Sequence, residues 1–208
     1  MDNEREFKLK LYPIIGKALI MPFIFIFIFG QKKSFYSIRH SDFLYLMFYF
    51  VTVYLISYVY FIGYSINYKG AWIYFILPIK DKRNSYNGAL KAFIVKIVMP
   101  AVIISSIVML IMFGIRTLPD VIIFILITIG LVPLTYKCSA SNVLPFTIAF
   151  GDKNMGNGMG RILVSILLLV IGVAQFLISS FVPYGIVLFI ILSLIFCYGS
   201  WKFLLQSN

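Results

Sequence analysis

Charged side chains are scarce in this chain, and acidic ones are the scarcest. Of its 208 residues, 12% are charged and 62% are apolar, whereas a soluble domain has about 25% charged and about 45–50% apolar residues. One small aqueous core cannot bury that much apolar surface. The composition therefore argues against an ordinary soluble protein and indicates a single transmembrane domain over residues 1–208, with the lipid bilayer as its solvent.

Residues that could perform chemistry are also few. The single histidine, His40, lies between apolar runs, without the helical His/Glu cluster of a zinc protease. The glycine-rich run "GDKNMGNGMGR" (151–161) lacks the Lys-Ser/Thr ending of a phosphate-binding loop. Cys138 and Cys197 have the spacing of neither a metal site nor a disulfide framework, and we interpret them as free thiols. We therefore expect no enzymatic activity and no cofactor or metal.

The few acidic residues avoid the centres of the apolar runs. They lie at the amino terminus, in loops or at helix ends, and are Asp2, Glu4, Glu6, Asp42, Asp81, Asp120 and Asp152. Carriers driven by protons or sodium ions usually contain an ionisable group within the membrane. The acidic residues thus argue against a secondary carrier.

Long apolar runs dominate what remains. A membrane-spanning helix needs about 20 mostly apolar residues, and six runs qualify. The runs cover residues 11–30, 43–63, 94–115, 120–136, 161–181 and 183–202. The sequence therefore predicts an all-α polytopic transmembrane helix bundle with about six spans.

Basic residues are divided unequally between the two sides of such a bundle. Four of the 18 Lys and Arg residues, Lys32, Lys33, Arg39 and Arg116, fall on one side, and the other fourteen fall on the side of the termini. Because basic residues accumulate in cytoplasmic loops, both termini are predicted to be cytoplasmic, in a multi-pass protein of the plasma membrane. The same rule accounts for the net charge of +11 without a nucleic-acid partner.

One loop on the basic side, residues 69–91, joins a short apolar run to a charged turn. The nine apolar residues 71–79 cover about 14 Å as a helix, roughly half the hydrocarbon thickness. Such a run fits an interfacial segment, which either docks a soluble partner or only anchors the preceding span. Pro78 should end or kink a helix at Leu77. The candidate docking residues are Trp72, Phe75, Leu77, Pro78, Lys80, Lys82 and Arg83.

A second candidate site follows one arc of the second span. Polar-tipped side chains on this arc could line a substrate path. Tyrosines more often form interface belts or pack between helices, and both interpretations stay open. The residues are Tyr45, Tyr49, Thr52 and Tyr60.

Four stretches carry a resemblance to a known family. "YKGAWIYFILPI" (68–79) followed by "NGALKAFIVKIVMP" (87–100) is similar to a run in large bacterial ABC exporter permeases, and "REFKLKLYPIIG" (5–16) and "LPF" (144–146) resemble pieces of their carboxy-terminal half. In that family the loop between the second and third spans forms a coupling helix that contacts an ATPase subunit. Family members are longer, with another membrane half.

The resemblance implies the permease component of an ATP-driven exporter. Its partners would be a separate ATP-binding subunit, the bilayer, and a second permease half or a second copy of this chain. The alternative is a non-transporting integral membrane protein, an immunity or assembly factor that acts through helix–helix contacts.

The predicted orientation can be tested by labelling. After replacement of Cys138 and Cys197 by serine, a cysteine is placed at Asn84 or at Tyr36. Because the two positions lie on opposite predicted sides, an impermeant maleimide added to intact cells should label position 36 and spare position 84. External labelling at position 84 would contradict the orientation.

Overall fold

The protein is built from helices that alternate in direction. Residues 5–30, 43–65, 68–72, 82–140, 145–149 and 158–206 are described by the structure, a computed structural model, and these ranges contain no β-strand. The α-helices are α1 (Arg5–Gly30), α2 (Tyr49–Ser57), α3 (Lys82–Phe93), α4 (Met99–Phe113), α5 (Leu118–Ala140), α6 (Gly158–Phe181) and α7 (Gly185–Gln206).

Two of the spans are composite. Helix α2 is flanked by 3-10 turns at Leu44–Phe48 and Val59–Gly63, which extend it into a full span. Helices α3 and α4 are joined without a break through a π-helical turn, Ile94–Val98. Short 3-10 helices also occur at Tyr68–Trp72 and Ile115–Thr117.

Six segments are long and apolar enough to cross a membrane, which confirms the predicted fold class. They are Leu11–Ile28, Leu44–Gly63, Ser85–Phe113, Ile115–Ser139, Gly158–Phe181 and Gly185–Phe203. The largest difference from the sequence prediction lies in the third span, where the helix begins at Lys82 rather than near residue 94. A helix that leaves the bilayer needs no apolar side chains there, so hydropathy locates the membrane crossing and not the helix end.

Contacts between helix ends define two faces of the bundle. Tyr86 at the start of α3 lies 6.1 Å from Tyr136 at the end of α5, measured between ring centroids. Lys137 places Nζ 3.2 Å from the ring centroid of Phe203, near the end of α7. We call this end, where α1, α3 and α6 begin and α5 and α7 end, the terminal face, and the other end the opposite face. Which face is cytoplasmic stays a prediction.

Helix α5 lies at the centre of the bundle, and glycines allow its neighbours to approach closely. A Cβ atom at Gly130 would lie 3.1 Å from the Cα of Cys197, so α5 and α7 pack almost backbone to backbone. A Cβ at Gly160 would lie 2.4 Å from the carbonyl oxygen of Cys138, at the end of α5. Gly160 therefore belongs to a buried helix contact, one residue before the predicted start of the span at residue 161.

Two chain segments pair at the terminal face. The backbone N–H of Ser65 donates to the carbonyl of Ile148 at 3.0 Å, and the N–H of Ile148 donates to the carbonyl of Gly63 at 3.0 Å. A third bond joins the N–H of Phe146 to the carbonyl of Ile62, also at 3.0 Å. The end of the second span is thus fixed to residues 145–149, just before the chain reaches Tyr68–Trp72.

Candidate functional site: a buried polar chain across three helices

A chain of hydrogen bonds connects the second span, α5 and α6 near the opposite face. The hydroxyl of Tyr49 donates to Oε1 of Gln175, and Nε2 of Gln175 donates to Oδ1 of Asp120 at 2.7 Å. The hydroxyl of Tyr45 also hydrogen-bonds to the Asp120 carboxyl group. We call Tyr45, Tyr49, Asp120 and Gln175 the polar chain. All four are at most 9% exposed.

The order of groups along the polar chain follows from their donors and acceptors. A glutamine amide offers an acceptor oxygen and a donor nitrogen, so Gln175 can face a hydroxyl on one side and a carboxyl oxygen on the other. An ionised carboxylate in its place could accept from Tyr49 but could not donate to Asp120, and leucine could do neither. Gln175 is therefore the link between the tyrosine side and the acidic side.

Local structure places Asp120 where an acidic group is favoured. It lies in the first turn of α5, where the positive end of the helix dipole stabilises negative charge. Arg116, four residues earlier and exposed, adds electrostatic attraction. Asp120 lies at a helix end, as predicted, but it is also buried, which the sequence did not predict because the partner that permits burial, Gln175, comes from another helix.

A second polar pair lies deeper in the bundle. The hydroxyl oxygens of Thr52 and Thr128 are 2.7 Å apart, and the Thr128 hydroxyl also donates to the Phe124 carbonyl at 2.7 Å. Because the Thr128 proton is used within its own helix, Thr52 is the donor of the interhelical bond. The ring of Tyr49 packs edge-on against Phe124 at 5.9 Å between centroids. Polar and aromatic contacts thus fix the second span against α5.

The candidate substrate-path residues are all buried between helices. Tyr45, Tyr49 and Thr52 bond to neighbouring spans as described above. The ring of Tyr60 lies near the terminal face, with the Arg161 guanidinium 4.5 Å from its centroid, a cation–π contact. The structure therefore places these side chains as packing and bonding groups, and a role in a substrate path stays a prediction.

The candidate docking residues lie only partly within the described ranges. Trp72 ends the Tyr68–Trp72 turn and is 59% exposed. Lys82 and Arg83 occupy the first turn of α3. The remaining members, Phe75, Leu77, Pro78 and Lys80, lie outside the described residues. The docking role therefore stays a prediction.

Gln175 was not among the predicted site residues, although the sequence carries one signal for it. It is the one amide side chain within the apolar run of α6. A polar side chain in a spanning helix forms a hydrogen bond to another helix more readily than to water. A lone glutamine there therefore predicts an interhelical hydrogen bond. The identity of the partner depends on how the helices pack.

Comparisons with protein-family models, with curated proteins and with solved structures found no match for this chain. No cluster of three or more His, Cys, Asp or Glu side chains able to hold a metal ion occurs among the residues that the structure describes.

Replacing Gln175 by leucine tests the polar chain. The change would leave the Tyr49 hydroxyl and the Asp120 carboxyl without the partner that they share, and a buried unsatisfied polar group costs about 1–3 kcal/mol. We expect the free energy of unfolding, measured by titration with sodium dodecyl sulfate in mixed micelles, to fall by about that amount.

The matched control for this change is Ser179→Ala in the same helix. The Ser179 hydroxyl donates to the carbonyl of Phe176 in its own helix at 3.1 Å, so its loss should change stability little. Equal stability of Gln175→Leu and the wild type would show that the polar chain does not hold the helices together.

Proposed function

We propose that this chain is the membrane-spanning permease subunit of an ATP-driven, ABC-type exporter and performs no chemistry itself. A separate ATPase would dock at the terminal face and supply the energy. The observation that carries the proposal is the continuous helix from Lys82 to Phe113, which is longer than the hydrocarbon core of a bilayer is thick.

The length of this helix gives it a projecting end. At about 1.5 Å per residue the segment from Lys82 to Phe113 measures roughly 45 Å, against about 30 Å of hydrocarbon. The apolar part ends with Phe113 at the opposite face, so the excess of about 15 Å emerges at the terminal face. A rigid helix that reaches from a soluble partner into the bundle could transmit a movement of that partner to the spans.

The pairing of residues 62–65 with residues 145–149 adds a second rigid feature at this face. It joins the exit of the second span to the segment that follows α5. A partner bound near the exposed Trp72 would therefore act on two spans together. This is the arrangement expected of a surface through which a bundle is switched between two packings.

Exposure of the remaining helices leaves room for a further membrane partner. Within their spanning segments, α1, α6 and α7 have only 17–22% of their residues buried, against 44–61% for the other three spans. Lipid can cover these helices, and so can another membrane protein. For an exporter, that protein would be a second permease half or a second copy of this chain. For the alternative function, it would be the target that a non-transporting membrane protein binds through helix–helix contacts.

Charge reversal in the docking segment tests the proposed function. The protein carrying Lys80→Glu, Lys82→Glu and Arg83→Glu is purified from its native host in mild detergent beside the wild type. Like charges placed across an interface cost several kcal/mol, and about 1.4 kcal/mol is a factor of ten in affinity. An ATPase should copurify with the wild type, and its yield should fall at least about tenfold with the variant.

The control reverses the charge of three basic residues on the other predicted side of the membrane, Lys32, Lys33 and Arg39, by replacing each with Glu. This variant should retain the ATPase. Full recovery of an ATPase with the docking variant would remove the docking role. Recovery of another integral membrane protein, and of no ATPase, with the wild type would favour the alternative function.

A further inference from the structure

An apolar groove opens between the second span and α6. Its cavity has a volume of about 400 Å³, and its walls include Phe43, Met47 and Val53 on one side and Leu169 and Gly172 on the other. Leu169 is 60% exposed, so the groove opens sideways on the surface that faces lipid. A volume of this size lies within the range of small-molecule sites.

The length and depth of the groove match one leaflet of a bilayer. Phe43 lies at the start of the second span, at the opposite face, and Val53 lies near the middle of that span. Ten residues of mixed 3-10 and α-helix extend about 15–20 Å. Half of a hydrocarbon core is about 15 Å thick. The groove therefore runs from the headgroup level to the bilayer centre.

The lining of the groove suits a hydrocarbon chain, because it contains no charged side chain and Tyr49 is its one residue with a polar side-chain group. A single unbranched hydrocarbon chain is narrow enough, and the lining offers it apolar contacts along the whole length.

We propose that the groove binds one acyl chain of a bilayer lipid from the leaflet at the opposite face. Transfer from bilayer to groove brings no hydrophobic gain, so the binding depends on close dispersion contacts with the walls. The occupant would touch the site described above, because Tyr49 forms part of the groove wall and bonds to Gln175 behind it. The proposal does not depend on the exporter function.

Gly172 offers the means of closing the groove. A Cβ atom at this position would lie 3.8 Å from Cδ2 of Tyr49, an ordinary van der Waals contact. A phenylalanine side chain would project into the cavity and occupy it. The matched control is Gly199→Phe on α7, where a Cβ atom meets nothing within 4 Å.

A second variant and its control lie outside the contact between Gly172 and Tyr49. The variant is Val173→Trp at the groove rim, where Val173 is 58% exposed, and the control is Val187→Trp on α7, where Val187 is 56% exposed.

The probe is a phosphatidylcholine with a diazirine in one acyl chain, mixed into nanodiscs of phosphatidylethanolamine and phosphatidylglycerol. After illumination, labelled peptides are counted by mass spectrometry at increasing probe fractions. Peptides covering residues 43–53 and 168–176 should label in a saturable way. Gly172→Phe and Val173→Trp should lower that labelling about tenfold, a loss of about 1.4 kcal/mol, and both controls should leave it unchanged.

Three results would overturn the proposal. The first is labelling of the groove that rises in proportion to the probe fraction, as expected for the exposed surface of α7. The second is labelling that neither groove variant changes in protein that elutes as the wild type does. The third is loss of the labelling in nanodiscs that hold two copies of the chain, which would make a second copy the occupant.

Discussion

Water is absent from the interior of a bilayer, so a polar side chain buried among spanning helices must find its partner on another helix or on its own backbone. This constraint shapes the end of the bundle at the opposite face. Asp120 is acceptable there because Gln175 and Tyr45 bond to it, and Gln175 in turn accepts from Tyr49. These side-chain hydrogen bonds hold the second span, α5 and α6 in one arrangement.

The two ends of the bundle differ in the atoms that hold them together, main-chain atoms at one face and side chains at the other. At the terminal face, the backbone pairing of residues 62–65 with 145–149 and the close contact at Gly160 fix the chain through its main-chain atoms. At the opposite face, side-chain hydrogen bonds do so, and the apolar groove lies directly beside them.

The sequence was sufficient to predict the helices and insufficient to predict their contacts. Apolar runs of spanning length predicted six spans, because a bilayer imposes that length on each crossing. Hydropathy could not predict that α3 continues outward to Lys82, nor that Gly160 lies in a helix contact. The tyrosine arc contained Tyr45 and Tyr49, yet their partners Asp120 and Gln175 lie 75 and 126 positions away along the chain. Such pairs follow from helix packing.

The most direct test of the account is a double-mutant cycle between the two ends of the polar chain. Tyr49→Phe, Asp120→Ala and the double variant are unfolded by titration with detergent, and their free energies of unfolding are compared with that of the wild type. If Gln175 connects the two ends, the effects should differ from additivity by at least about 0.5 kcal/mol. Additivity within roughly 0.3 kcal/mol would contradict a connected chain and leave two independent contacts.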